Sequence, residues 1–109
     1  MNSTDFTEIV LKQFERCHEL LNLKESEYSE GKDRLDQFKK GAAFRGKHSY
    51  DVLAGMMLKH TTSIYDLINK ESEGFPVGIG MWEEKITDHI NYLLLLLALI
   101  IDVQSNKVD

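Results

Sequence analysis

One segment near the C-terminus, residues 82–101, restricts the possible folds more than any other. Its first half carries carboxylates, whereas residues 92–101 form a run of ten residues without a charge. A helix through this run has apolar side chains on every side, and one amphipathic face cannot bury them all. We therefore expect this helix at the centre of the fold or shared between subunits, and we favour a homodimer or higher oligomer over a monomer.

The remaining apolar residues recur at steps of three and four, and no segment alternates in the manner of a half-buried strand. Asp5 with Glu8 forms a predicted capping box, Ser49 a predicted N-cap, and Gly46 is placed to end a helix. We predict four helices, at residues 5–24, 33–44, 49–70 and 81–104.

The segments between the predicted helices are rich in polar residues or in glycine. Residues 71–80 hold the only proline and three glycines, and residues 25–32 are almost entirely polar, so both are predicted loops. The expected fold class is all-α: a four-helix, bundle-like single domain over residues 1–109 with a long, very apolar C-terminal helix. Residues 1–4 and 105–109 are expected to fray.

Composition excludes several classes of function. The 109 residues carry a net charge of -5, which argues against nucleic acid as a partner because phosphate contacts need clustered cations. The single cysteine, Cys17, excludes an intramolecular disulfide and favours a reducing compartment. Residues 1–8 lack the pattern of a signal peptide, and residues 92–101 are shorter than the ~20 that a membrane span needs. We predict a cytoplasmic protein without a membrane partner.

Glu84, Asp88 and Asn91 fall on one stripe of the last predicted helix. Carboxylate and amide oxygens are hard donors that suit Mg²⁺ held together with waters and substrate phosphates. The alternative is that the two acids simply occupy the helix start, where the dipole favours negative charge. Asn91, next to the apolar run, is expected to be partly buried and hence to need hydrogen-bond partners.

Glu15 and Glu19 form a second pair of carboxylates, one turn apart on the first predicted helix. If the first and last helices pack together, this pair could share a metal with Glu84 and Asp88. The alternative is a solvated face, since Glu8 continues the same stripe.

The third predicted helix carries His60 on its apolar face, with Lys59 beside it. His60 has a possible hydrogen-bond partner in Asp88 or Asn91, which would fix its tautomer, although a lone inward histidine is commonly a core residue. Lys59 could reach a phosphate, and otherwise it is a surface lysine.

A weaker constellation joins the segment from Lys24 to Tyr28 with Asp33 and Phe38. It combines a base, acids and aromatic rings as a nucleotide pocket does, with stacking from Tyr28 or Phe38 and charge from Lys24. The sequence has no phosphate-binding glycine loop and no motif of a nucleophilic hydrolase. Hydrolysis through a protein nucleophile is therefore disfavoured, and Cys17 is expected in the core.

Taken in order, these segments resemble the nucleotide-modification-associated, MazG-like all-α proteins of phages and prophages. The resemblance covers roughly residues 14 to 101. Its motifs are Lys24-x-x-x-Tyr28, Asp33-Arg-Leu-Asp-Gln-Phe38, Leu58-Lys59-His60 with Ile64, and Glu84-x-x-x-Asp88-x-x-Asn91-Tyr92.

The resemblance implies a Mg²⁺-dependent nucleoside triphosphate pyrophosphatase, in which a Glu-x-x-Glu pair and a Glu-x-x-Asp pair bind the metal and activate water. This chain departs from that pattern, because both of its pairs are spaced by four residues. Spacing by four still keeps each pair on one helix face.

The best-matched site residues under this resemblance are Asp88 and Asn91, followed by Lys59 and His60. Lys24 and Tyr28 would contact the nucleotide or its phosphates. The expected function is thus Mg²⁺-assisted binding of a nucleotide or related phosphate, with pyrophosphohydrolase activity as the reaction. The alternative is a non-enzymatic helical interaction protein, such as a phage-type adaptor or inhibitor.

Overall fold

The structure, a computed structural model, describes residues 1–24 and 33–106 in full and the helical backbone of residues 25–28. It contains four helices: α1 (Ser3–Tyr28), α2 (Asp36–Arg45), α3 (Ser49–Ser72) and α4 (Ile79–Ser105). The described residues contain no β-strand. The predicted all-α fold class is confirmed.

Helix α1 is longer than predicted at both ends. It begins at Ser3 because the side-chain oxygen of Asn2 accepts the Asp5 N–H at 2.8 Å, so the predicted Asp5 and Glu8 capping box is wrong. It extends to Tyr28 because residues 25–28 include no glycine or proline to end it. The predicted loop is therefore shorter than expected, and its residues 29–32 lie outside the described residues.

Helix α2 begins three residues later than predicted. The side chain of Asp33 accepts the backbone N–H of Leu35 at 3.0 Å, which holds this segment in a turn before the helix starts. At the other end, Gly46 adopts a left-handed conformation with φ of 65°. The prediction that Gly46 ends this helix is confirmed.

Helix α3 is capped by His48 rather than by Ser49. The His48 backbone N–H donates to the Asp51 carboxylate at 3.3 Å, and this reciprocal pair forms the capping box. Ser49 is the first helical residue, so its predicted role as the N-cap is wrong.

The carboxylate of Glu71 holds the connection between α3 and α4 in place through two hydrogen bonds. Glu71 accepts the Val77 backbone N–H at 2.9 Å and the Trp82 indole N–H at 3.1 Å. These bonds lower the pKa of Glu71 below its usual range, because they favour the charged form. The loop thus follows a fixed path into α4.

Helix α4 is the central element, since it packs against both α3 and α1, while α2 packs on α3. Contact between the first and last helices includes a 2.8 Å hydrogen bond from the Gln13 amide to the Thr87 hydroxyl and a 3.1 Å ion pair between Arg16 and Glu83. The main core joins α2, α3 and α4 through Leu35, Phe38, Val52, Leu53 and Leu99.

The apolar run of α4 is only partly covered by this core. Leu99 is fully buried, whereas other leucines of the run are about half-exposed. The whole helix of 27 residues is long and apolar enough to cross a membrane, with a mean hydropathy of 1.7 over 18 residues, of which 17% are buried. Residues 92–101 alone, from which no membrane span was expected, are too short for one. Because a core helix of a soluble protein meets the same criterion, length and composition here are weak evidence for a membrane.

Candidate functional site

Two clefts meet at Asp88, which lines both. The first, of about 390 Å³, lies between α1 and α4 and is bordered by Glu19, Glu83 and Glu84; we call it the acidic cleft. The second, of about 340 Å³, lies where α1 and α4 meet the segment around α2, and we call it the basic cleft. Its lining residues are Leu21, Lys24, Arg34, Gln37, Asp88, Asn91, Tyr92 and Leu95.

Asn91 is the most unusual residue of the basic cleft. Its side chain is 5% exposed, yet neither its amide oxygen nor its amide nitrogen has a hydrogen-bond partner among the described residues. Leaving a buried polar group unpaired costs about 1–3 kcal/mol. The expectation of a buried Asn91 is confirmed, and its unpaired amide can receive a donor and an acceptor from a ligand.

Two cations border the same cleft. Lys24 comes from α1 and Arg34 from the turn before α2, and both are half-buried. The Arg34 guanidinium donates to the backbone oxygen of Leu21 at 3.2 Å, which links the turn to α1 and leaves further N–H groups for a ligand. Two cations against the single carboxylate of Asp88 favour an anion such as a phosphate.

His60 approaches the site from α3. Its Nδ1 lies 3.9 Å from the Asp88 carboxylate, and its ring centre lies 4.6 Å from that of Tyr92. Of the two partners expected for His60, the structure places Asp88 beside it. Burial lowers the pKa of His60, against the opposing effect of Asp88, so the imidazole is neutral at pH 7 and can accept a proton.

Tyr92 completes this group. Burial, followed by the charge of Asp88, raises the pKa of the Tyr92 phenol. The phenol is therefore protonated at neutral pH and is available as a hydrogen-bond donor.

The predicted metal ligands are brought together only in part. Glu19, Glu84 and Asp88 all line the acidic cleft, as expected for packing of the first helix on the last. Glu15 is exposed and is not among its lining residues. Within residues 1–24 and 33–106, no three His, Cys, Asp or Glu side chains are close enough to hold a metal ion. The carboxylates present suit Mg²⁺ only in the mode that uses one or two protein ligands plus waters and phosphates.

One predicted substrate-binding residue stands apart from the clefts. Lys59 is exposed on α3 and lines neither cleft, and the side chain of Tyr28 lies outside the described residues. Lys24 and Asn91, by contrast, line one cleft together.

Sequence reasoning missed Arg34 and Gln37 as site residues. Arg34 precedes and Gln37 opens a helix whose start was predicted too early, and both appeared only inside the motif from Asp33 to Phe38. The available signal was Leu35, an apolar residue inside a charged stretch. Because Leu35 is buried in the core, its neighbour Arg34 is held close to α1.

The chain matches no protein-family model, no curated protein and no solved structure. The function is therefore inferred from the clefts themselves. They define a helical protein with a cationic cleft, an unpaired buried amide and a neighbouring group of carboxylates.

Proposed function

We propose that the protein binds a nucleotide or a related phosphate compound, together with Mg²⁺, across the two clefts. The observation that carries this proposal is the unpaired amide of Asn91 in a cleft that also presents Lys24 and Arg34. Phosphates would pair with the two cations, and the donor and acceptor edge of a base or sugar would satisfy Asn91.

The acidic cleft would supply the metal site of this proposal. Asp88, with Glu84 one turn before it, would hold Mg²⁺ beside the phosphates, and waters would complete the coordination. When bound, Mg²⁺ would neutralise phosphate charge and lower the pKa of a coordinated water. Asp88 belongs to both clefts, so it joins the metal side to the phosphate side.

Hydrolysis of a phosphoanhydride bond is the reaction that these residues suit. Neutral His60, next to Asp88, would accept the proton that the attacking water loses, and Asp88 would stabilise the resulting imidazolium. The water oxygen would bond to one phosphorus, and the bond from that phosphorus to the bridging oxygen would break. The bridging oxygen would leave with the other product, which would take up the proton from His60. This is the pyrophosphohydrolase form of the proposal.

The second candidate is a non-enzymatic interaction protein. It is favoured by the many large apolar side chains that remain exposed in one chain. A protein-binding surface on the outside of the helices, however, does not explain why the amide of Asn91 is buried in a cleft without a hydrogen-bond partner. We therefore place ligand binding first.

A thermal-shift panel of nucleoside mono-, di- and triphosphates, with and without Mg²⁺, tests the first proposal. A ligand that binds only the folded state stabilises it, by about 2.7 kcal/mol when present at 100 times its Kd. We expect at least one nucleotide to raise the Tm, and more so with Mg²⁺. The absence of a shift with every nucleotide in the panel would refute the proposal.

Two lysines on α1 provide a matched comparison for this panel. Lys24 lines the basic cleft, whereas Lys12 is exposed on the same helix. Lys24→Met should reduce the nucleotide shift, and Lys12→Met should leave it unchanged. Equal effects of both variants would show that the ligand responds to overall charge rather than to the cleft.

Asp88→Asn separates the two candidate functions, because it keeps the side-chain shape and removes one charge. Under the ligand proposal, this variant folds but loses the Mg²⁺-dependent part of the shift and any release of pyrophosphate. Under the interaction alternative, it changes only stability or the affinity for a partner.

A further inference from the structure

The first half of α1 forms a projecting arm. Residues 1–12 are exposed apart from the half-buried Val10, and Gln13 is the first α1 side chain that hydrogen-bonds to another helix. Nevertheless, this arm carries large apolar side chains around more than half of its circumference, each 49–62% exposed: Phe6, Ile9, Leu11 and Phe14.

A second uncovered apolar surface lies on the C-terminal half of α4. Its four residues fall within an arc of about 100° when each residue turns the helix by 100°. Neither α1 nor α3 buries them, and each is 44–57% exposed. We call this surface the α4 stripe: Leu93, Leu94, Leu97 and Ile101.

We infer that the protein forms a two-fold symmetric dimer in which the arm of each copy packs on the α4 stripe of the other. A two-fold interface presents the same patch on both subunits, and its contacts are reciprocal. One chain carries both an uncovered arm and an uncovered stripe. In a two-fold dimer, each arm covers the stripe of the other copy, so both arms and both stripes are removed from water.

The available area agrees with a dimer. A half-exposed aromatic side chain offers roughly 100 Å² and an aliphatic one less, so the eight residues of arm and stripe offer at most about 800 Å² per copy. This upper bound reaches the share per partner of a standard stable interface, about 800 Å². Among the described residues, seven apolar side chains are buried and eighteen large ones are exposed, so one copy alone leaves many apolar side chains in water.

Charge favours a second copy over a lipid surface. Helices that lie in a membrane interface carry Lys and Arg on their polar face. The polar face of α1 instead carries Glu8, Glu15 and Glu19 beside Lys12 and Arg16. Acids outnumber cations on this face, so anionic headgroups would repel it.

Light scattering coupled to size exclusion tests this dimer. We expect the wild-type chain to elute at twice the 12.6 kDa of one copy. Leu97→Arg on the stripe and Phe6→Arg on the arm should each give the mass of one copy, with unchanged helical content by circular dichroism. The control is Leu58→Arg, because Leu58 is 64% exposed on α3 and should leave the dimer intact.

Three results would overturn the inference. A wild-type monomer in solution would show that the arm and the stripe do not pair. A monomer that sediments with phosphatidylcholine vesicles would show that these apolar surfaces bind lipid instead. A Phe6→Arg variant that folds and remains dimeric would place the interface elsewhere. Because the nucleotide panel uses other residues, its outcome is independent of this one.

Discussion

Replacing Asn91 by leucine should stabilise the folded protein while removing its response to nucleotides. Asn91 is only 5% exposed, and neither polar atom of its side chain is paired among the described residues. Substituting an apolar side chain of similar size removes the cost of that unpaired group, about 1–3 kcal/mol. For a domain of this size, 1 kcal/mol corresponds to about 4–8 °C in Tm.

Thr87 offers a matched control one turn earlier on the same helix. It is equally buried at 5%, but its hydroxyl donates to the Glu83 carbonyl at 2.6 Å and accepts from the Gln13 amide at 2.8 Å. Thr87→Val keeps the shape and removes both bonds, so it should destabilise the protein by about 1 kcal/mol or more. The two substitutions are thus expected to act in opposite directions.

Equilibrium urea unfolding, followed by circular dichroism, measures both effects. A constant dependence of the unfolding free energy on urea would show that the change lies in stability rather than in compactness. If Asn91→Leu lost 1 kcal/mol or more under these conditions, the amide would be paired in solution. The reasoning that assigns Asn91 to a ligand would then be refuted.

Three further outcomes follow from the fold. Burial lowers the pKa of His60 relative to about 6.5 in the unfolded chain. The unfolded state therefore binds more protons, and the free energy of unfolding should fall as the pH decreases from 6.5. His60→Gln should flatten this pH dependence in urea titrations at several pH values. Gly46→Ala should cost about 1 kcal/mol in the same assay, since the backbone there has φ of 65°. The indole N–H resonance of Trp82 should shift only below the usual carboxyl range of pH, where Glu71 protonates; a shift at the ordinary carboxyl pKa would contradict the bond.

The four helices were predictable because their apolar residues follow the helical period over many turns. The ends were not, since single side chains decide them. Asn2 starts α1 and His48 caps α3, and neither belongs to the pattern of apolar residues from which helices are read. Gly46 was predictable because few other residues adopt its backbone conformation.

The candidate site was predictable where it lies on one helix. Asp88 and Asn91 are three residues apart on α4, so their common face follows from helical geometry alone. Arg34 enters the cleft from a different segment, and its position depends on the packing of Leu35 against α3 and α4. Contacts of that kind are set by tertiary structure, which periodicity does not report.

The unpaired amide of Asn91 is also informative about the protein as a whole. Domains are stable by about 5–15 kcal/mol, and this chain buries few apolar side chains in one copy. A cost of about 1–3 kcal/mol for the unpaired amide is therefore a considerable part of the total stability. Leucine, which has a similar size and fills most of the following positions, would avoid this cost. Departures from local rules are expected at functional sites. The amide at this position, beside Lys24 and Arg34, supports the proposal that a ligand pairs with it.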